Sequence, residues 1–222
     1  MTECRVFCEK LDTVPRIVDR ARREELAARA FEVIRARGAH RTSMSDLAAA
    51  LGMKRSTLYW YFRDLGQVFD AVMEAHRRRL EAFVRGRLAG RSHPIDVLLE
   101  LIRAHLDFFE GRHDALIALY QLWAVADADQ PGAEIARTRA FVSAVRDQLI
   151  DLVAAGVTDG RVRPCDPAQV VDMVLAYCDG SLTQRVKLGL DPHVLVDGFS
   201  RYVLEPLRAR PEEPTCDTRA RR

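Results

Sequence analysis

The chain has 222 residues, 48% of them hydrophobic and 30% charged, which is enough to bury a substantial core and excludes a disordered or collagen-like polypeptide. No run of about 18 uninterrupted apolar residues is present, and the N-terminal MTECRVFCEKLD carries acids but no apolar export segment, so the expectation is a cytoplasmic chain that does not enter membranes. The formal net charge of +2 says nothing by itself about partners.

In chain order, residues 1–14 read as a flexible tail. A helix is expected over 15–37, because Ala27, Ala30, Phe31 and Ile34 recur at helical spacing while Arg22, Arg23, Glu25 and Arg29 line the opposite side. Gly38 ends it. Ser43-Met44-Ser45-Asp46 has the form of a capping box and leads into a short helix with Leu47, Ala48 and Leu51 before Gly52. A second short helix, 54–62, has Leu58 and Phe62 four apart. Asp64 is placed to cap a long helix from 65 to about 88, with Leu65, Val68, Phe69, Val72 and Met73 on its apolar stripe.

Beyond residue 92 the pattern stays helical. Pro94, Pro131, Pro167 and Pro192 stand where first-turn prolines stand, the last two after Asp166 and Asp191 as caps. They mark helices near 94–111, 114–128, 131–155, 167–189 and 192–208, with Gly156 at a helix exit and 156–164 a loop. Residues 209–222 read as a disordered tail. The fold class is therefore all-α: a helix-turn-helix domain at 15–63, a linking helix at 64–91 and a larger helical domain at 92–208.

Charge follows this division. Residues 16–91 hold 17 Lys/Arg against 9 Asp/Glu, whereas residues 92–222 hold 15 against 20. A basic N-terminal third is expected where that part meets a polyanion, although a solvated charged surface explains charge alone equally well. The helix pair adds the stronger argument, because two short helices joined by a glycine turn have the dimensions of a unit whose second helix enters the DNA major groove. Its outward residues suit that task. Lys54 and Arg55 can neutralise phosphates or read guanine, Ser56 and Thr57 can bond phosphates or pack on a thymine methyl, and Tyr59 and Tyr61 offer hydroxyls to phosphate. Tyr59, Trp60 and Tyr61 point in roughly three directions, at about 100° per residue, and cannot all be core.

Residues 24–70 resemble the N-terminal domain of the tetracycline-repressor (TetR) family of bacterial transcription regulators. The matching pieces are Ala30-Phe31 with Gly38, Thr42 through Ala48, Leu51-Gly52-Met53 and, most specifically, Thr57-Leu58-Tyr59-Trp60-Tyr61-Phe62. The resemblance implies a homodimer that binds a palindromic operator on double-stranded DNA and is released by a small organic effector held in the larger domain. It implies DNA contacts from Ser43, Ser45, Lys54, Arg55, Ser56, Thr57, Tyr59, Trp60 and Tyr61. Two departures stand out. Lys54 occupies a cap position where Ser or Thr is usual, with Ser56 in place of a glycine, and Leu65-Gly66 replaces the lysine that commonly grips a phosphate, a role for which Arg63 is the substitute.

In the larger domain the resemblance pairs the last two helices with their twofold mates, through Val174, Cys178, Ser181, Leu182, Leu195, Phe199 and Tyr202. His105, Phe108, Phe109, Tyr120, Trp123, Tyr177 and Asp179 offer an aromatic lining with a few polar groups for an effector, though such residues at helical spacing are ordinary core more often than ligand cage. No cofactor is implied. His105 and His113 lie eight apart, not the three or four of a helical metal pair, and the five cysteines (Cys4, Cys8, Cys165, Cys178, Cys216) form no C-x-x-C, so no metal is expected. The rival readings are a small all-α enzyme, a ligand-binding module without DNA, or an architectural DNA binder. Catalysis is disfavoured by the lack of a Gly-rich phosphate loop, an H-E-x-x-H or a G-x-S-x-G.

Overall fold

The computed structural model describes residues 19–126 and 133–209. The tail expected at 1–14, the helix start at 15–18, Pro131 and residues 210–222 lie outside them. Among the described residues nine α-helices follow in order: α1 (Arg20–Arg37), α2 (Met44–Ala50), α3 (Arg55–Tyr61), α4 (Leu65–Leu88), α5 (Pro94–Phe108), α6 (His113–Ala126), α7 (Ala133–Thr158), α8 (Pro167–Leu188) and α9 (Pro192–Phe199). The all-α class holds. The chain divides into two compact units between Ala75 and His76, within α4.

In the first unit α1 starts at Arg20 rather than at 15, because Asp19 is its cap and its carboxylate accepts the Arg22 amide at 3.1 Å. Leu26, Ala27, Ala30 and Ile34 are buried along one stripe. Gly38, at φ +88°, ends the helix in a conformation that favours glycine, its amide bonding the Ile34 carbonyl. The Ser43/Asp46 capping box forms reciprocally at the start of α2. Arg29 is exposed as expected, and its Nη2 donates to the Leu51 carbonyl at 3.0 Å, satisfying an acceptor that the short α2 leaves without a helical partner. Leu47, Ala48, Leu51, Leu58 and Phe62 are buried, and the Arg23 guanidinium covers the Phe62 ring at 5.0 Å. Asp64 caps α4 by accepting the Gln67 amide.

In the second unit Pro94, Pro167 and Pro192 each occupy the first helical turn, with Asp166 and Asp191 as caps and His93 as a cap that the sequence pattern hid. Two expectations change. Gly156 lies buried inside α7 and not at a helix exit: a Cβ there would stand 2.6 Å from Pro94 Cγ and 2.8 Å from Val162 Cγ2, so glycine permits a close approach of segments. The helix expected to run unbroken over 192–208 is α-helical only to Phe199, then widens to a π turn at Ser200–Leu204 and tightens to a 3-10 turn at Glu205–Leu207. Pro206 lacks the N–H that a regular ladder requires there. The chain then folds back as a clasp. The Arg163 amide bonds the Leu207 carbonyl at 2.8 Å, the Ala209 amide bonds the Arg161 carbonyl at 3.1 Å, and Val162 pairs with Arg208 in an antiparallel bridge. Arg208 also reaches Asp96 at the start of α5 (2.6 Å).

Gly156→Ala is expected to destabilise the second unit by about 1–3 kcal/mol, the usual cost of overpacking a tight contact. Gly86→Ala, in α4 where the added carbon meets nothing within 4 Å, should hold or raise stability. Urea melts of the two variants against the parent decide this, and equal melts for Gly156→Ala would disprove the close contact.

Candidate functional site

The first surface is built by α3. Leu58 is 1% exposed and Phe62 0%, and since they are separated by one helical turn the opposite side of the helix faces outward. Lys54, Arg55, Ser56, Thr57, Tyr59 and Trp60 are exposed, Tyr59 and Trp60 at 39% and 48%, while Tyr61 is half-buried. The three adjacent rings thus divide between surface and partial core. Lys54 occupies the cap position of α3 with no side-chain cap bond, because its ammonium is a donor and has no acceptor to offer the free amides there. Arg55 Nη2 donates to the Tyr59 hydroxyl at 3.2 Å, and its guanidinium lies 5.4 Å from that ring, so the two side chains are held as a pair one turn apart. The outward set therefore offers cations, hydroxyls and an aromatic plane on one short rod.

The α2 residues behave differently. Ser43 is exposed, but its hydroxyl is engaged with Asp46, whose carboxylate also accepts the Ser43 amide at 3.0 Å. These bonds, the Ser43 hydroxyl first, hold the Asp46 carboxyl below the usual carboxylate range. Ser45, one position further, is exposed and not tied into the cap. Arg63 is exposed just after α3, and its amide bonds the Gln67 side chain.

In the second unit the expected effector residues fall into separate groups. His105, Phe108 and Phe109 meet in an aromatic cluster, with Phe108 and Phe109 edge-to-face at 5.2 Å, and His76 and Phe83, which spacing did not single out, complete it. Tyr177 instead stacks on Phe199 at 4.3 Å, and Tyr120 shares a hydrogen bond with Thr183 at 3.3 Å. The side chain of Trp123 lies outside the described residues. Asp179 is on the exposed side of α8, where partial desolvation raises its carboxyl. The Nε2 of His105 and the hydroxyl of Tyr177 are sealed from solvent with no hydrogen-bond partner among the described residues. Burial pushes the Tyr177 phenol up to about 12 and the His105 imidazole down to about 4, so both are neutral near pH 7. An open cleft of about 670 Å³ is lined instead by Arg163, Arg201, Glu205, Pro206, Arg208 and Ala209.

The residues expected at a dimer contact also divide. Val174, Cys178, Ser181 and Leu182 are buried within the single chain, where they pack α8 against its own core. Leu195 and Phe199 are half-buried, and Tyr202 is 76% exposed. The solvent-facing apolar residues of this region are Met173, Leu188, Leu190 and Val194, none of which the sequence reading named for that role.

His105 and His76 both titrate near 4 in the folded state, against an ordinary value of 6.5. Between those values the unfolded chain binds protons that the folded chain refuses, so stability is full above about pH 6.5 and falls as pH drops toward 4. The melting temperature should decline over that window, and His105→Leu should flatten the decline. An unaltered slope in that variant would mean that His105 is not the buried neutral group described.

Residues 26–72 match the family model of bacterial regulatory proteins, tetR family. The HTH-type transcriptional repressor KstR2 of Mycolicibacterium smegmatis is 28% identical over 144 residues, which cover 65% of this chain and 69% of the relative. The HTH-type transcriptional activator FasR of the same organism is 28% identical over 182 residues, 73% of this chain and 83% of the relative. Among solved structures, AibR in complex with isovaleryl coenzyme A and operator DNA superposes with a TM-score of 0.63 at 22% identity, covering 82% of this chain and 98% of that one. No described helix is long and apolar enough to cross a membrane. With the outward face of α3, the match over residues 26–72 identifies that segment as a DNA-binding domain of the bacterial tetR regulatory type, in a chain that is similar to TetR-family transcriptional regulators.

Proposed function

We propose that this regulator is a cytoplasmic, homodimeric repressor that α3 seats on a palindromic operator, and that a coenzyme A thioester with an apolar acyl group releases it. The observation that carries the DNA half is the division of α3 into a buried pair, Leu58 and Phe62, and an outward face of Lys54, Arg55, Ser56, Thr57 and Tyr59. In this assignment Arg55 reads a base edge, Lys54, Tyr59 and Arg63 hold phosphates, and Ser45 adds a contact from α2. Two reading heads are needed for a palindrome, so the chain acts as a dimer. Its contact is assigned to Met173, Val194 and Tyr202, which face solvent, in place of the inward-packed part of α8.

The effector class is supported by the isovaleryl coenzyme A bound to AibR and by the apolar, aromatic interior of the second unit, where His105 and Tyr177 keep polar atoms without partners among the described residues. Release follows by linkage: a ligand preferring a dimer whose heads do not fit the operator weakens DNA binding by the same factor that DNA weakens the ligand, typically about 1–3 kcal/mol. Such a mechanism needs no catalysis.

A gel-shift series on the DNA upstream of the gene tests this reading. Specific retardation should weaken steeply with salt. Arg55→Ala should relax base preference at one position, while Tyr59→Phe and Arg63→Ala should weaken binding alike on all sequences. The reverse pattern would place α3 in the groove in another orientation. Acyl coenzyme A thioesters should dissociate the complex, and release by none of a short- to long-chain panel would sink the effector class alone. In sedimentation, Met173→Asp combined with Tyr202→Asp should yield monomers; an intact dimer would remove this face from the contact.

A further inference from the structure

We propose that Asp107, Glu110 and His193 hold a divalent transition-metal ion of the zinc class. One donor atom from each lies within 4.8 Å of the other two, although Asp107 and His193 are far apart in the chain. The His193 Nε2 stands 3.5 Å from Asp107 Oδ1, long for a hydrogen bond. That separation fits the edge of a tetrahedron whose corners lie about 2.0–2.2 Å from a central zinc.

The surroundings hold the donors in place. Asp107 is at the end of α5, and its other oxygen accepts from Arg87 Nη1 at 2.7 Å, leaving Oδ1 turned to the histidine. Arg87 is fixed in turn by Nε on the buried Glu100 at 2.6 Å, the kind of outer support that orients a ligating carboxylate. His193 sits in the first turn of α9, its amide bonded to the Asp191 cap at 2.9 Å. Glu110 is exposed in the turn after α5 and can swing its carboxylate to close the third side. One imidazole with two carboxylates suits zinc, cobalt or nickel better than magnesium or calcium, and three protein donors leave a position open for water. An ion there ties the first turn of α9 to the end of α5, the segment that carries His105, Phe108 and Phe109. Pair spacing along a single helix cannot register such a site, because its donors come from two helices and a turn.

The test uses the chelator-stripped full chain, titrated with zinc chloride by calorimetry and with cobalt chloride by visible absorption. The expected result is one ion per chain with intense tetrahedral cobalt bands, a raised melting temperature, and no response to magnesium chloride. His193→Gln and Glu110→Gln should each weaken zinc binding by more than about tenfold. Both sites are at the surface, and unchanged circular dichroism would show that the variants fold. His40→Gln, in the first unit, should bind as the parent does. Absence of zinc binding, or equal affinity in His193→Gln, overturns the assignment. Neither outcome depends on operator binding.

Discussion

The burial of Leu58 fixes where the rest of α3 points. A seven-residue helix has little intrinsic stability, so its orientation is set by the apolar side chains that it inserts into the first unit. Burying a leucine and a phenylalanine contributes roughly 1.5–3 kcal/mol each. With Leu58 and Phe62 inside, about 100° per residue turns Ser56 and Trp60 to the opposite side, while Arg55 is exposed because it begins the helix, with no preceding turn to cover it. The Arg29 bond to the Leu51 carbonyl and the Arg23 guanidinium over Phe62 then hold α1 against the turn and the end of α3. The exposed polar set of α3 thus begins as a packing decision made on the buried side of the same helix.

The second unit meets a different constraint, that of burying charge. Glu100 is 6% exposed and takes two guanidinium partners, Arg87 at 2.6 Å and Arg91 at 2.9 Å, while Arg87 also holds Asp107. Arginine suits this role because its planar fork serves two carboxylates at once in fixed geometry. The network joins the C-terminal end of α4 to two successive parts of α5 and sets their mutual register. Such a network stabilises little beyond an apolar replacement of equal shape, and its value is in specifying one arrangement.

The sequence made the head legible because its signals are local. Gly38, the Ser43/Asp46 box, Asp64 and the Leu58/Phe62 pair each act within one or two helical turns, and each appears where spacing placed it. Arg29 is exposed, as its spacing implies, but its bond to the Leu51 carbonyl could not be read, because that partner lies 22 residues away beyond the next helix. The same reason accounts for the larger unit. Helix number and proline positions could be read, whereas the inward turn of Val174, Cys178, Ser181 and Leu182, the internal position of Gly156 and the aromatic group around His76 depend on neighbours distant in sequence. A stripe on α8 carries apolar residues on more than one side, and composition alone does not say which side the chain keeps for its own core. Pro206 was the one visible sign that the last helix could not continue to residue 208.

The clasp that closes the second unit has a kinetic consequence. Arg208 meets Asp96 across 112 residues, and the backbone around Leu207 and Ala209 bonds Arg161 and Arg163. Closing so long a loop is entropically costly until the intervening helices have already condensed. The start of α5 therefore waits for residues near 208, and a chain emerging from the ribosome can settle its first unit well before it can close the second.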